Sequence, residues 1–424
     1  MRYQEPPFDI VIGLDRSDRK VDLHRIDLST GLEETQSLRS EPETLQDWVT
    51  DLRERFPHRQ VAVVFEQPAN NIMAFLSVYD WITLYPINPI SLQKFREAFV
   101  VSRANDDAKD AFYLAHLLAH HWVEFRAWQP EDRQTRLLQR LVTDRRAVVD
   151  HRTGLGNRLQ SLLKDYFPQA LHLIGEEVWR PLATSFLKRW PTLQVLRRAK
   201  PQTIRKFYYG QSSRSESLIK NRLDIIEHAV PLTDDESILA SYVLQVQLTV
   251  AEIELATRTV KAYDRQIALA FASHPDRAIF ANLPGAGPTM APRLLATLGT
   301  RRERYPSAFN LQCASGIAPV TKSSGKKHQV HRRYRCSNFF RQSFHEWAGQ
   351  TRFHSLWSAA YYQMKRAGGM GHHAAIRALA YKWIRVVWRC WHDRTIYQEE
   401  HYLAALRKAG SPIITWIENH PQTP

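Results

Sequence analysis

The sequence predicts an α/β domain followed by a remainder that is all-α, and three observations carry that reading. In the first third, short apolar runs alternate with segments of helical period, the pattern of a mixed α/β layer structure. In the middle, residues 234–273 contain neither proline nor glycine and keep a coiled-coil-like spacing of apolar residues. In the last third, breaks rich in proline and glycine separate further helical segments. The divisions this implies are residues 1–125, 126–275 and 276–424.

Residues 8–14 are a short apolar run suited to a buried strand, with Asp15 at its end. Residues 17–20 form a turn, and residues 21–26 alternate as a second strand, so the two make a hairpin. Residues 41–56 are helical, with Leu45, Trp48, Val49 and Leu52 on one face. Residues 61–65 are apolar without interruption, as a strand inside a sheet requires, and end at Glu66. A helix over residues 69–78, a strand over 81–86 and a helix over 107–120 complete the region. That last helix turns Ala111, Leu114, Leu117 and Leu118 inward and carries Asp107 and Asp110 near its start.

Two strands therefore end in an acid, and a helix carries two more, three residues apart and on one face. Carboxylates brought together repel one another unless a cation neutralises them, and a hard divalent ion such as Mg²⁺ does so through oxygen ligands. Two such ions close together activate an attacking oxygen and stabilise a leaving one at a phosphate. Each acid alone also fits a structural part. Asp15 suits a turn, Glu66 a solvated strand end, and Asp107 a helix cap. Asp18 and Asp106 are taken as a turn residue and a cap.

Residues 131–165 are helical and strongly basic, with Arg133, Arg136, Arg140, Arg145, Arg146, Arg152, Arg158 and Lys164. Residues 171–230 are several short helices broken at Pro181, Pro191 and Pro201. Residues 200–209 mix basic and aromatic side chains, which suits a nucleic-acid surface and equally a helix with buried aromatics. In the long helix of residues 234–273, Leu239, Val243, Val246, Val250, Ile253 and Val260 form the stripe, with Thr257 filling one position. Such a stripe packs in a helical hairpin or against a second copy.

Further on, Pro284-Gly285-Ala286-Gly287 stands between helical segments. That is a helix-hairpin-helix type of turn, whose backbone N–H groups suit a DNA phosphate, and it is also what a plain helix–helix turn needs. After residues 309–317 comes Thr321-Lys322-Ser323-Ser324-Gly325-Lys326-Lys327-His328, a loop of hydroxyls and lysines around a glycine. A serine there can attack phosphorus, although an ordinary solvated turn has the same composition. Arg332 and Arg333 follow and suit phosphate neutralisation. The remainder is helical over residues 338–351, 354–367 and 372–392, with a glycine break at 368–371. His372 and His373 are taken as a solvated helix start.

The balance of 44% hydrophobic and 24% charged residues is that of a globular chain. A net charge of +15, spread along the whole chain, favours a polyanion, nucleic acid first. The three cysteines form no Cys-x-x-Cys pair, which fits a cytoplasmic setting and argues against structural zinc. No apolar signal core opens the chain, and no run is read as long enough to span a bilayer, so no membrane is expected.

Gly13-Leu14-Asp15, Val64-Phe65-Glu66 and Asp107-x-x-Asp110 resemble the acids of the DEDD transposases. Leu283-Pro284-Gly285-Ala286-Gly287, Ala314-Ser315-Gly316-Ile317-Ala318-Pro319 and Ser324-Gly325-Lys326 resemble the second domain of the same family. It is the insertion-sequence family named after its members 110, 116 and 902, which includes the Piv DNA invertases and RNA-guided members. The motifs occur in the family's order at both ends of the chain, while the middle is similar only in being helical. Arg16-Ser17-Asp18 and Asn105-Asp106-Asp107 depart from the commoner family forms, and the middle is longer.

The resemblance implies an N-terminal RuvC-like, ribonuclease-H-like domain in which Asp15, Glu66, Asp107 and Asp110 bind Mg²⁺. It implies a helical coiled-coil linker and a C-terminal transposase domain with a nucleophilic serine. By position that serine is Ser324, with Ser323 and then Ser315 behind it. Gly285, Gly287, Lys326, Lys327, Arg332 and Arg333 are the expected nucleic-acid contacts. Donor and target DNA, a structured guide RNA and a homo-oligomer, dimer to tetramer, are the implied partners. The expected chemistry is strand cleavage and transfer through a phosphoserine. A RuvC-like nuclease that uses water needs only the acids, and a non-catalytic nucleic-acid-binding protein needs neither acids nor serine.

Overall fold

In the computed structural model, residues 5–67, 70–99, 107–324, 327–334 and 336–420 are described. The chain divides into two compact units, residues 1–130 and 131–424.

The first unit is built around β1 (Ile10–Arg16). On one side β1 pairs antiparallel with β2 (Lys20–Asp27), which pairs antiparallel with β3 (Glu33–Arg39). On the other side it pairs parallel with β4 (Val61–Glu66), which pairs parallel with β5 (Ile82–Ile87). The strand order is β3-β2-β1-β4-β5. Helices α1 (Pro42–Arg55), α2 (Asn70–Leu76), α3 (Pro89–Phe99) and α4 (Asp107–His121) accompany the sheet. Side chains alternate across a strand, so Ile12, Leu14, Val63 and Phe65 meet the inward residues of α1 and α2. Val11, Ile26, Ala62 and Val64 meet Leu114, Ala115 and Leu118 of α4 on the opposite face. Both faces are covered, which is why β1 and β4 are apolar without interruption.

Two elements of this unit escape the sequence reading. β3, Glu-Glu-Thr-Gln-Ser-Leu-Arg, is exposed along most of its length and has no apolar alternation, as an edge strand protected by charge need not. α3 begins just after β5, at Pro89. β1 also runs to Arg16, so Asp15 lies inside the strand rather than beyond it.

Among its described residues, the second unit has one β-hairpin, and its other regular elements are helices. α5 (Arg133–Tyr166) and α11 (Glu236–Ala272) pack along each other. Five short helices close one end: α6 (Gln169–Ile174), α7 (Pro181–Arg189), α8 (Leu193–Arg197), α9 (Pro201–Gly210) and α10 (Glu216–His228). Pro181 and Pro201 sit in the first turn of their helices, where a missing N–H costs nothing. The apolar stripe of α11 faces inward, with Val246, Val250, Ile253 and Val260 buried. By length and composition α11 does contain a stretch capable of spanning a bilayer, which corrects the expectation that no run is long enough. The heptad spacing hid it, because alanines and leucines between the stripe positions make the helix apolar on more than one side.

The C-terminal part adds α12 (Arg277–Ala281), α13 (Gly287–Leu298), α14 (Ala308–Ala314), β6 (Val320–Ser324) and β7 (Lys327–His331). It ends with α15 (Asn338–Thr351), α16 (Leu356–Ala367), α17 (His372–Asp393), α18 (Glu399–Lys408) and α19 (Pro412–Asn419). Its core holds four fully buried tryptophans, Trp347, Trp357, Trp383 and Trp391. Each indole N–H finds an acceptor, as burial requires. Trp347 donates to the Pro284 carbonyl, Trp357 to the Tyr397 hydroxyl, Trp383 to Thr351 and Ser358, and Trp391 to the Gly299 carbonyl.

Arg293 of α13 is buried in this core and donates to Glu346 of α15 at 2.5 Å and to the Ser343 hydroxyl at 2.9 Å. Removing the acid leaves a buried cation without its counter-charge. Glu346→Ala is therefore expected to cost about 2 kcal/mol in denaturant unfolding, below the full buried-pair value because the Glu346 side chain is part-exposed. Arg293→Met, which removes the charge itself, costs less by the same measurement.

Asp132 caps α5, accepting from the Thr135 backbone N–H at 2.9 Å, the Thr135 hydroxyl at 2.6 Å and the Thr300 hydroxyl at 2.9 Å. Burial alone would raise its pKa, but these hydrogen bonds outweigh burial and hold it at about 2. A carboxylate depressed in the folded state stabilises above its unfolded pKa and loses that contribution as pH falls through the folded one. Asp132→Ala is expected to cost about 1 kcal/mol at neutral pH. Its deficit against wild type closes between the ordinary aspartate pKa of 3.8 and about 2, which thermal unfolding at stepped pH reads directly.

Candidate active site

The parallel register of β1 and β4 sets Leu14 opposite Phe65, so the next residues, Asp15 and Glu66, stand side by side at the carboxyl ends of adjacent strands. Both are half-buried. They line one cavity of about 360 Å³ together with Ser17, Asp18, Gln67 and Asn71. α4 crosses β1 directly above Gly13. A Cβ built on Gly13 would lie 1.9 Å from the Ala111 carbonyl oxygen and 2.7 Å from the Ala115 nitrogen. Only glycine allows this approach, which brings the first turns of α4, and with them Asp110, to the sheet face that carries Asp15.

Burial pushes the Glu66 carboxyl above the usual carboxylate range, and the Asp110 charge pushes it further the same way, while Arg96 opposes both. Arg96 of α3 donates to Asp110 at 2.7 Å. Asp107 opens α4, and its side chain lies outside what is described. A carboxylate whose charge is disfavoured by burial and by a neighbouring acid, as that of Glu66 is, fits a hard divalent cation, which relieves the repulsion. The described acids therefore fit a divalent cation.

Two residues here were not anticipated. Asp22 is buried and lies directly opposite Asp15 in the antiparallel register, so the two carboxylates share a face. Lys20 pairs with Asp22 at 2.8 Å. Folding the hairpin about residues 17–20 in sequence would have brought Asp22 to Asp15. Arg96 has no comparable signal, since it reaches Asp110 from α3, which the sequence analysis does not contain.

The serine stretch belongs to the second unit. It is an antiparallel hairpin rather than a loop, with Ser323 opposite His328 and Ser324 opposite Lys327 across β6 and β7. Ser323 is exposed. Gly325 and Lys326, and the side chains of Ser324 and Lys327, lie outside the described residues. The polar, lysine-rich strands carry no apolar alternation, which is why they read as a turn. Ser315 is fully buried and donates to the Gln312 carbonyl at 2.9 Å, a helix-end role. Arg332 is exposed, whereas Arg333 is half-buried and donates to the Ala318 carbonyl at 3.3 Å. Gly285 has φ +67°, and a Cβ there would meet His354 and Gln350. Gly287, at φ +53°, has open space around it at the start of α13.

Family comparison matches both of these regions. A transposase model of the IS110 DEDD type matches residues 12–168, which hold Asp15, Glu66, Asp107 and Asp110. A second model, Transposase IS116/IS110/IS902 family, matches residues 277–363, which hold Gly285, Gly287 and the β6–β7 hairpin. The chain is 27% identical over 343 residues to the mini-circle putative transposase for IS117 of Streptomyces coelicolor, covering 77% of this chain and 80% of that one. It is 25% identical to the insertion element IS110 43.6 kDa protein of Streptomyces coelicolor, over 70% of this chain and 72% of that one. It is also 25% identical to the insertion element IS116 44.8 kDa protein of Streptomyces clavuligerus, over 69% and 72%.

The matched regions indicate a transposase, a DNA-processing enzyme. The chain belongs to the IS116/IS110/IS902 transposase family. Domains of the DEDD transposase type generally use divalent metal ions.

Proposed function

We propose that this transposase is a recombinase that cuts and rejoins DNA strands using Asp15, Glu66, Asp107 and Asp110 as metal-holding acids and Ser324 as nucleophile. The observation that carries the acid half is the β1–β4 register, which sets Asp15 beside Glu66 in one cavity where Glu66 also feels the Asp110 charge. The order β3-β2-β1-β4-β5, with three antiparallel strands followed by two parallel ones, supports a ribonuclease-H-like, RuvC-like domain. Residues 1–125 form that domain, 126–275 a helical linker and 276–424 the transposase domain.

Bound Mg²⁺ supplies charge neutralisation at the scissile phosphate and lowers the pKa of an attacking oxygen. The Ser324 Oγ forms a bond to phosphorus and gives up its proton. The strand oxygen that leaves takes a proton and departs as a free hydroxyl. A hydroxyl of another strand then attacks the phosphoserine, restoring a phosphodiester and returning the serine. No external energy source is needed, because each broken P–O bond is replaced by another. Lys326, Lys327, Arg332 and Arg333 neutralise phosphates, and Gly285 and Gly287 present backbone N–H groups to DNA.

The charge of +15 supports DNA and a structured RNA from the element as partners, the RNA pairing with donor and target. A homo-oligomer, dimer to tetramer, is supported by α11, where Leu244, Leu248 and Leu255 are exposed at coiled-coil spacing.

The test mixes purified protein, Mg²⁺, RNA from the flanking sequence and labelled DNA carrying the junction, stopped with detergent. Wild type is expected to yield DNA covalently attached to protein, and Ser324→Ala and Asp15→Asn are each expected to yield none. Equal cleavage by wild type and Ser324→Ala without adduct would assign the reaction to water and leave the serine a DNA-contacting residue.

A further inference from the structure

We propose that His24, Glu33 and His116 form a binding site for a borderline divalent transition-metal ion, Zn²⁺ first, which staples α4 to the β2–β3 hairpin. His24 is on β2, Glu33 opens β3, and His116 is on α4, so three separate elements converge. Their ligand atoms all lie within 4.8 Å of one another. The His24 Nε2 is 3.0 Å and the His116 Nε2 3.4 Å from the same oxygen, Glu33 Oε2. Ligand atoms at about 2.0–2.2 Å from a tetrahedral zinc stand about 3.3 Å from one another, so an ion requires little movement of these groups.

The surroundings are those of a ligand set. The second ring nitrogen of His24, Nδ1, is 2.9 Å from the Thr35 hydroxyl on β3, which fixes the ring with Nε2 aimed at Glu33. The Phe112 ring packs against both imidazoles, with centroids 4.9 Å from His24 and 4.1 Å from His116, and limits their rotation. His24 is buried, while Glu33 is exposed, which leaves a path for an ion and a water as fourth ligand. Without an ion, protons on the imidazoles hold the same atoms by hydrogen bonds to Glu33.

Donor chemistry separates this site from the acids. Two imidazoles and one carboxylate suit zinc, copper, iron or nickel, whereas the all-oxygen set around Asp15 and Glu66 suits Mg²⁺. The position gives the staple a purpose. His116 lies six residues beyond Asp110 on the same helix, about 9 Å along its axis. His24 pairs with Gly13, the residue on which α4 rests. An ion at His24, Glu33 and His116 therefore holds α4 where Asp110 meets the sheet.

The experiment uses the full chain, stripped with chelator and titrated with Co²⁺ as a spectroscopic probe and with Zn²⁺ by calorimetry. One Co²⁺ per chain with the intense visible band of a tetrahedral ion is expected, displaced by Zn²⁺ and untouched by excess Mg²⁺. His116→Asn and Glu33→Gln are each expected to weaken Zn²⁺ binding at least about 10-fold. Both change part-exposed side chains, and circular dichroism checks that each variant is folded. Asp15→Asn is expected to keep the band. Absence of a tetrahedral band, a band unchanged in His116→Asn, or a band lost in Asp15→Asn would each overturn the site, the last by placing the ion at the acids.

Discussion

Gly13→Ala is expected to unfold or loosen the first unit more than any other single-atom-scale change in it. The added methyl meets backbone on both sides of its path, the Ala111 carbonyl oxygen at 1.9 Å and the Ala115 nitrogen at 2.7 Å. Neither can step aside as a flexible side chain would, so α4 as a whole must lift from β1. Overpacking a well-filled core ordinarily costs about 1–3 kcal/mol, and a clash with helix backbone belongs at or above the upper end. Asp107 and Asp110 ride on the same helix, and a displacement of about 1 Å in a catalytic group can lower a rate about 100-fold. Strand cleavage is therefore expected to fall even where the variant is still folded. Gly31→Ala is the control. Gly31 has a left-handed backbone, φ +71°, which Gly13 in β1 does not, and has nothing within 4 Å of a new Cβ, so alanine there costs backbone strain alone, about 1 kcal/mol. Denaturant unfolding of the two variants, with cleavage measured alongside, separates the contact from the backbone effect. Equal, small losses in both would mean that α4 does not depend on the close approach.

What could be seen in the sequence follows from how locally each feature is encoded. β1 and β4 are buried on both faces and so appear as uninterrupted apolar runs ending near acids. α4, α5, α11 and α17 carry long helical periods, which survive any error at their ends. β3, an exposed strand, and the β6–β7 hairpin carry polar sequence, and nothing in their composition separates them from loops. The site divides in the same way. Asp15 and Glu66 are visible because each follows directly on an apolar run. Asp22 joins the site only through the β1–β2 register, and Arg96 only through α3, which the sequence analysis lacks. His24, Glu33 and His116 are on three elements and separated by up to 92 residues, so only the folded chain brings them together. The pattern is physical: a strand end or a helix face is a local property, whereas a cluster across strands and helix is a property of topology.

Glu66→Gln is expected to do two things of opposite sign. In metal-free protein Glu66 is held away from water and beside the Asp110 charge, and both effects raise its pKa above the ordinary 4.5, with Arg96 opposing them only in part. A carboxyl whose pKa is raised by folding is a burden to the folded state when ionised. That burden is absent below the unfolded pKa and is fully present once pH has risen past the folded one. Replacing the carboxylate with an uncharged amide of the same shape removes the burden. The metal-free variant is thus expected to melt above wild type at pH 7 to 8, and the difference is expected to vanish as pH falls below about 4.5. With Mg²⁺ the order reverses. Wild type gains stability because the ion binds the folded state and not the unfolded chain, whereas the variant has lost a charged ligand and gains less. Strand cleavage by the variant is expected to fall at least about 100-fold, since even outer-shell partners of a metal cost 10–100-fold when removed. Thermal unfolding with and without Mg²⁺, at two pH values, reads both effects in one preparation. A variant that melts below wild type in metal-free buffer would mean that Glu66 is held by favourable contacts and serves the fold. A variant that gains as much from Mg²⁺ as wild type would take Glu66 out of the metal site. The crossing of the two melting curves is what distinguishes an acid kept for the ion from an acid kept for the sheet.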